Sequence, residues 1–136
     1  MKERVRAIIK EDENILLIHR IKKDREYWVF PGGGVENTDA DHKSALAREC
    51  KEELGVDVRV SDLFTTYKFG ETDKEQCEYF YSCEITGGKL GTGSGPEFQK
   101  GTHYEGMYAL EWIPLKDFLA KNIQPEEVKK KMQKEV

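Results

Sequence analysis

The chain has 136 residues, with 22 Lys and Arg against 26 Asp and Glu, a net charge of −4, and 35% charged against 38% hydrophobic residues. That length fits one domain spanning 1–136 with a compact core and a very polar surface, and the acidic balance opposes nonspecific binding to nucleic acid. The longest aliphatic run, Ile15-Leu16-Leu17-Ile18, is too short to cross a membrane, and residues 1–10 lack the apolar segment of a signal peptide. Three cysteines without a secretion signal predict reduced thiols and a cytoplasmic protein.

In chain order, residues 5–10 and 15–20 are β-rich runs around Glu11-Asp12-Glu13-Asn14, which reads as a hairpin turn. Residues 27–30 predict a short strand, followed by the glycine turn Pro31-Gly32-Gly33-Gly34. Residues 40–54 have helical periodicity, with Leu46, Ala47, Cys50 and Leu54 as one apolar stripe. Strands follow at 56–60, 63–69 and 77–85, with a polar break at 70–74. Cys77 and Cys83 belong to these strands, and their spacing is not that of zinc ligands.

The segment 87–96 holds five glycines and a proline and is expected to be a loop without regular structure. A strand at 107–113 comes next. Pro114 opens a helix through Asp117, Phe118 and Leu119, and a last helix follows Pro125. The lysines from Lys129 to Lys134 predict a solvated helix face.

Chemistry concentrates in Arg48-Glu49-Cys50-Lys51-Glu52-Glu53-Leu54-Gly55-Val56. At helical spacing Glu49, Glu52 and Glu53 project along one edge of the stripe, where like charges three or four residues apart repel. A divalent cation reverses that sign. Magnesium suits such a site because it takes oxygen ligands and is commonly shared between carboxylates and phosphate. A plain acidic helix face has the same local composition, and the preceding glycine turn is what separates the two readings.

Together these residues resemble the Nudix box. That pattern runs from a glycine through a glutamate to Arg-Glu, an aliphatic residue, Glu-Glu and a closing glycine, and its second half fits from Arg48 to Val56, with Cys50 in the aliphatic place. Counting from Pro31 gives Gly33 and then Asp39 where the first glutamate belongs, with one extra residue before Arg48. Counting back from Arg48 gives Gly34 and Ala40 instead; the first alignment keeps a carboxylate and is preferred.

The resemblance implies an α/β (α+β) Nudix fold, a mixed β-sheet sandwiched between α-helices. It implies hydrolysis of a pyrophosphate linkage in a nucleoside diphosphate joined to another group, with magnesium, or manganese in its place, as cofactor. Nucleoside triphosphates, as for MutT-like enzymes, are the favoured substrates. By motif position Glu53, Glu52 and Glu49 are expected metal ligands, with the Gly32 carbonyl able to join them. Glu49 is alternatively the general base, and Arg48 is expected to orient a carboxylate. Gly33 and Gly34 shape the turn around substrate.

Outside the box Glu97 is the expected additional carboxylate, with Glu105 and Glu111 as alternatives. Trp28, Tyr104 and His103 are candidates to contact a base, and Arg20 a phosphate. A catalytically silent nucleotide-binding or sensor domain and an RNA 5′-end pyrophosphohydrolase are the rival functions. Nucleic acid and membrane are not expected partners, and a homodimer is open, with no interface marked in the sequence.

Overall fold

A computed structural model describes residues 2–70, 75–92 and 107–134. The first two strands, β1 (Lys2–Glu11) and β2 (Asn14–Lys22), form the predicted hairpin. Its turn places Asp12 and Glu13 at positive φ (54° and 139°). The short strand β3 (Arg25–Val29) pairs with β2.

The glycine segment is not a free turn. Gly32–Gly34 forms β4, antiparallel to β1, with Gly32 opposite Arg6 and Gly33 opposite Val5. Glycine runs carry no strand propensity, so this pairing is imposed by β1 and not by the local sequence.

The helix α1 (His42–Leu54) begins where Asp41 caps it, the carboxylate accepting from the Ser44 N–H at 2.7 Å. It ends at Gly55, φ 84°, whose N–H donates to the carbonyls of Cys50 and Lys51. Its buried face consists of Ala45, Leu46, Cys50 and Leu54, so Ala45 replaces the expected Ala47.

Residues 56–60 and 63–69, expected as two strands, are one: β5 (Val56–Phe69) pairs along its length with β6 (Gln76–Gly88). Register shifts near Asp57, Val60 and Leu63 absorb the polar interruption Ser61-Asp62. β6 also reaches into the expected loop. Gly88 lies in the strand opposite Val56, and Gly91 donates its N–H to the Leu54 carbonyl, so 87–92 packs against the end of α1. Residues 93–96 lie outside the described residues.

β7 (Met107–Pro114) pairs with β2. The helix after Pro114 is a single 3₁₀ stretch, Leu115–Ala120, and α2 (Glu126–Lys134) follows Pro125 as expected. Between them β8 (Ile123–Gln124) pairs parallel with β3, too short to leave a sequence signal. Within α2, Lys129 departs from the expected solvated face. It is 7% exposed and its Nζ donates to the Lys121 carbonyl at 2.7 Å.

The strand order β5-β6-β1-β2-β3-β8, with β4 on β1 and β7 on β2, is a mixed sheet in which β1 runs parallel to β6. Alternation along the central strands sends side chains to opposite faces. Ala7, Ile9 and Leu16 join Leu46, Cys50 and Leu54 in one core. Ile8, Ile15 and Leu17 join Phe118, Val128 and Met132 in the other. The sheet is therefore sandwiched between α1 on one side and the C-terminal helices on the other.

The three cysteines are free and buried, and burial pushes the Cys83 thiol up to about 12 and raises that of Cys50 as well. Thiols held protonated in a core are poor nucleophiles and metal ligands. No helix among the described residues is long and apolar enough to cross a membrane.

Candidate active site

The pairing of β4 with β1 and the packing of α1 behind it bring the glycines to the carboxylates. Gly32, at φ 147°, sits so close to β1 that a Cβ would run into the Val5 carbonyl and approach Arg6 Cα at 2.9 Å. Its N–H donates to Glu53 Oε1 at 2.8 Å. The expected reason for a glycine here, room for its carbonyl to approach a metal, is thus joined by a stronger one, the contact with β1. At Gly33 a Cβ would fall on the Glu49 carboxylate, whereas at Gly34 it would meet nothing within 4 Å.

Arg48 is the hub. Its Nε and Nη2 donate to the two oxygens of Asp39, each at 3.0 Å, in a fork-to-carboxylate pair. Nη2 also donates to the Gly34 carbonyl at 3.1 Å, and Nη1 donates to Glu49 at 3.0 Å and Glu52 at 3.2 Å. Glu36 stands 3.8 Å away. Asp39 in turn accepts from the Glu36 N–H at 2.8 Å. Asp39, the carboxylate from outside the helix that takes both Nε and Nη2 of Arg48, is the one chosen by counting from Pro31, despite the extra residue.

Protonation follows this wiring. The Arg48 hydrogen bonds, and then the Glu36 N–H, hold the Asp39 carboxyl below its ordinary range. Burial pushes Glu49 the other way, up, against the opposing pull of Arg48, and the nearby charges of Glu52 and Glu36 add to the rise.

One guanidinium faces four carboxylates within 4 Å, so the site keeps surplus negative charge. Its donors are hard oxygens, which fit magnesium. Among the described residues no three carboxylates converge as a ready cage. Magnesium does not need one, because it is usually held by one or two carboxylates together with water and substrate phosphate.

Other expected site residues lie apart. Trp28 is 6% exposed, stacks on His19 at 4.3 Å and donates its indole N–H to Glu111 at 3.2 Å, so it belongs to the core and to a side-chain network on β2, β3 and β7. Glu111 is engaged there too, 3.1 Å from His19. Arg20 lies over the Tyr108 ring at 5.6 Å. Glu97, His103, Tyr104 and Glu105 fall outside the described residues.

A pocket of about 240 Å³ opens beside the glycine strand, walled by Phe30, Phe80, Tyr67 and Phe69, with Arg6 and Glu78 between them and Gln124 at its rim. Phe30 is two residues before Gly32, and its carbonyl accepts from Arg6 at 3.4 Å. Sequence reasoning missed this pocket. Tyr67 and Phe69 alternate on β5 as do Glu78 and Phe80 on β6, but only the strand register, Tyr67 opposite Glu78, brings the four to one face.

Comparison with known proteins agrees with this architecture. The NUDIX domain model matches residues 1–133. A Caenorhabditis elegans protein that carries the name nudix hydrolase 1 is 33% identical over 115 residues, 84% of this chain and 28% of that protein. The CTP pyrophosphohydrolase of Escherichia coli K12 is 39% identical over 70 residues, 50% of this chain and 51% of that protein. These matches thus span between about a quarter and half of the curated relatives' own length.

The solution structure of the E. coli ORF135 protein superposes with a TM-score of 0.68 at 26% identity, covering 98% of this chain and 89% of that one. The MutT protein of Methanosarcina mazei Go1 also gives 0.68, at 24% identity over 98% of this chain and 91% of that one, a likeness of fold. With its sandwich, its box helix and a family match over nearly its whole length, the chain belongs to the Nudix family.

Proposed function

We propose that the chain is a single-domain, magnesium-dependent pyrophosphohydrolase that cleaves a phosphoric anhydride bond in a nucleoside diphosphate joined to another group, with nucleoside triphosphates the favoured class. The observation that carries this reading is the set of four carboxylates around Arg48, against the glycine strand, with unbalanced negative charge. The names of the relatives, a CTP pyrophosphohydrolase among them, point to the same chemistry.

Glu53 and Glu52 would hold the metal, with the Gly32 carbonyl beside them. When bound, magnesium neutralises phosphate charge and makes the attacking water more acidic. Glu49, its side chain largely withdrawn from solvent, accepts the proton of that water as general base. Arg48 fixes the Glu49 and Glu52 carboxylates by its hydrogen bonds, and Asp39 holds Arg48. The aromatic pocket two residues from the glycine strand receives the base. The compartment we propose is the cytoplasm.

The test is phosphate and pyrophosphate release from nucleoside triphosphates, ADP-ribose, sugar nucleotides and dinucleoside polyphosphates, with magnesium or chelator, in the wild type and Glu53→Gln. Glutamine keeps the acceptor for the Gly32 N–H but loses the charge, so turnover should fall roughly 100-fold or more with folding retained. No magnesium-dependent turnover on any of these substrates would overturn the reading.

A further inference from the structure

Arg6 and Glu78 pair inside the aromatic pocket, Nε to Oε2 at 2.8 Å, with side chains only 19% and 10% exposed. Aromatic walls are enough to stack a planar ring, and an apolar pair in these positions would pack at no desolvation cost. A charge pair withdrawn from water is costly unless its remaining hydrogen-bonding capacity is used. Here that capacity is left over. Among the described residues Glu78 Oε1 accepts no hydrogen bond and Arg6 Nη2 donates none, since the pair's bonds run from Nε to Oε2 and from Nη1 to the Phe30 carbonyl. Neither atom is sealed from solvent. The pocket therefore offers an acceptor next to a donor.

Two neighbours restrict what meets that edge. Tyr67 stands directly opposite Glu78 across the β5–β6 ladder, and its ring stacks with Phe69 at 5.3 Å, so the aromatic wall and the carboxylate belong to one surface. At about 240 Å³ the cavity is smaller than the roughly 300–1,000 Å³ typical of sites for drug-sized ligands, and it suits one heterocycle rather than a whole nucleotide.

We propose that Glu78 is a specificity-determining residue that selects bases carrying an exocyclic amino group beside a ring nitrogen, the amino N–H donating to Oε1 while the Arg6 guanidinium donates to the ring acceptor. Cytosine and adenine present this edge directly, and guanine presents it through its 2-amino group and the N3 acceptor, its N1 being a donor. Uracil, and hypoxanthine in place of adenine, put a carbonyl there, whereas hypoxanthine in place of guanine has only a C–H and so loses the donor. A carbonyl oxygen against a carboxylate leaves two acceptors facing each other, which is the arrangement that binding sites reject most strongly. The inference rests on the proposed nucleotide reading, in which this pocket receives the base.

The experiment measures binding of mononucleotides in matched pairs, CMP with UMP, AMP with IMP and GMP with IMP, by titration calorimetry to the wild type, Glu78→Gln and Glu78→Asp. Hydrolysis of the corresponding triphosphates with magnesium is measured on the same proteins. In at least one pair the amino-bearing member should bind about tenfold or more tightly than its partner. Glu78→Gln, whose amide can donate to a carbonyl, should narrow that ratio to within about threefold. Glu78→Asp, which withdraws the oxygen by one methylene, should narrow it as well.

Equal binding of both members in every pair, a preference for the carbonyl member, an unchanged ratio in both variants, or no binding of any mononucleotide would each overturn the proposal. Binding is read without turnover. A protein that discriminates CMP from UMP through Glu78 yet hydrolyses nothing would sink the hydrolase reading and keep this one.

Discussion

The Glu49 carboxylate occupies the space into which a side chain on Gly33 would point, its Oε1 2.7 Å from the Cβ position. A methyl group at Gly33 must therefore move a candidate catalytic group. Gly33→Ala should lower kcat about 10- to 100-fold, the scale of an ångström's misplacement, while stability changes by less than about 1 kcal/mol because the obstacle is the end of a side chain.

The neighbouring glycines provide controls. Gly34→Ala meets empty space and should leave both rate and melting temperature near wild type. Gly32→Ala meets the β1 backbone at a φ of 147° and should cost about 1–3 kcal/mol or more, visible as loss of folded protein in denaturant titration. Equal effects at all three positions would contradict this account.

Acid sensitivity should trace to Asp39. Its carboxyl is held low in the folded protein by Arg48, so the stability it contributes is fully present above the ordinary value of 3.8 and is lost as pH falls through the lower folded-state value. Melting curves between about pH 2 and 7 should show the wild type falling steeply at the acid end. Asp39→Asn, already less stable near neutrality, should lose that part of the slope.

Glu49 should titrate on the opposite side. Burial raises its carboxyl above the ordinary value of 4.5, so the charged form that a general base needs appears at a higher pH than for a solvated glutamate. Carboxyl-carbon NMR of the metal-free protein should place Glu49 above 4.5, and magnesium should pull it down. A titration that magnesium leaves unmoved would separate Glu49 from the metal.

The aromatic wall should act on affinity and not on chemistry. Tyr67→Ala or Phe69→Ala removes a stacking surface worth about 1–3 kcal/mol per base, raising KM with kcat little changed. Phe69 is 37% exposed, so its removal should leave the melting temperature near wild type. A fall in kcat at constant KM would place these rings in the reacting centre instead.

Local patterns were enough for much of this. The hairpin of β1 and β2, the helix with its cap at Asp41 and stop at Gly55, and the clustering of Glu49, Glu52 and Glu53 on one helix edge follow from periodicity and capping chemistry over a few residues. Counting from Pro31 singled out Asp39 as the carboxylate in the first half of the box, but that it grips Arg48 is visible only in the structure.

Long-range pairing decided the rest. That Gly32–Gly34 is a strand depends on β1, nearly thirty residues upstream, and no composition rule turns three glycines into a ladder. Trp28 looked available for a base, yet its indole is committed to Glu111 on β7, a contact between residues 83 positions apart. Most of all, Arg6, Tyr67 and Glu78 have no sequence relationship. The parallel pairing of β1 with β6 and the β5–β6 register bring them to one pocket, because side chains on a sheet share a face only once register is fixed. The candidate metal-binding carboxylates were legible in the local sequence of one helix, whereas the pocket proposed to select the base arises only from how distant strands are aligned.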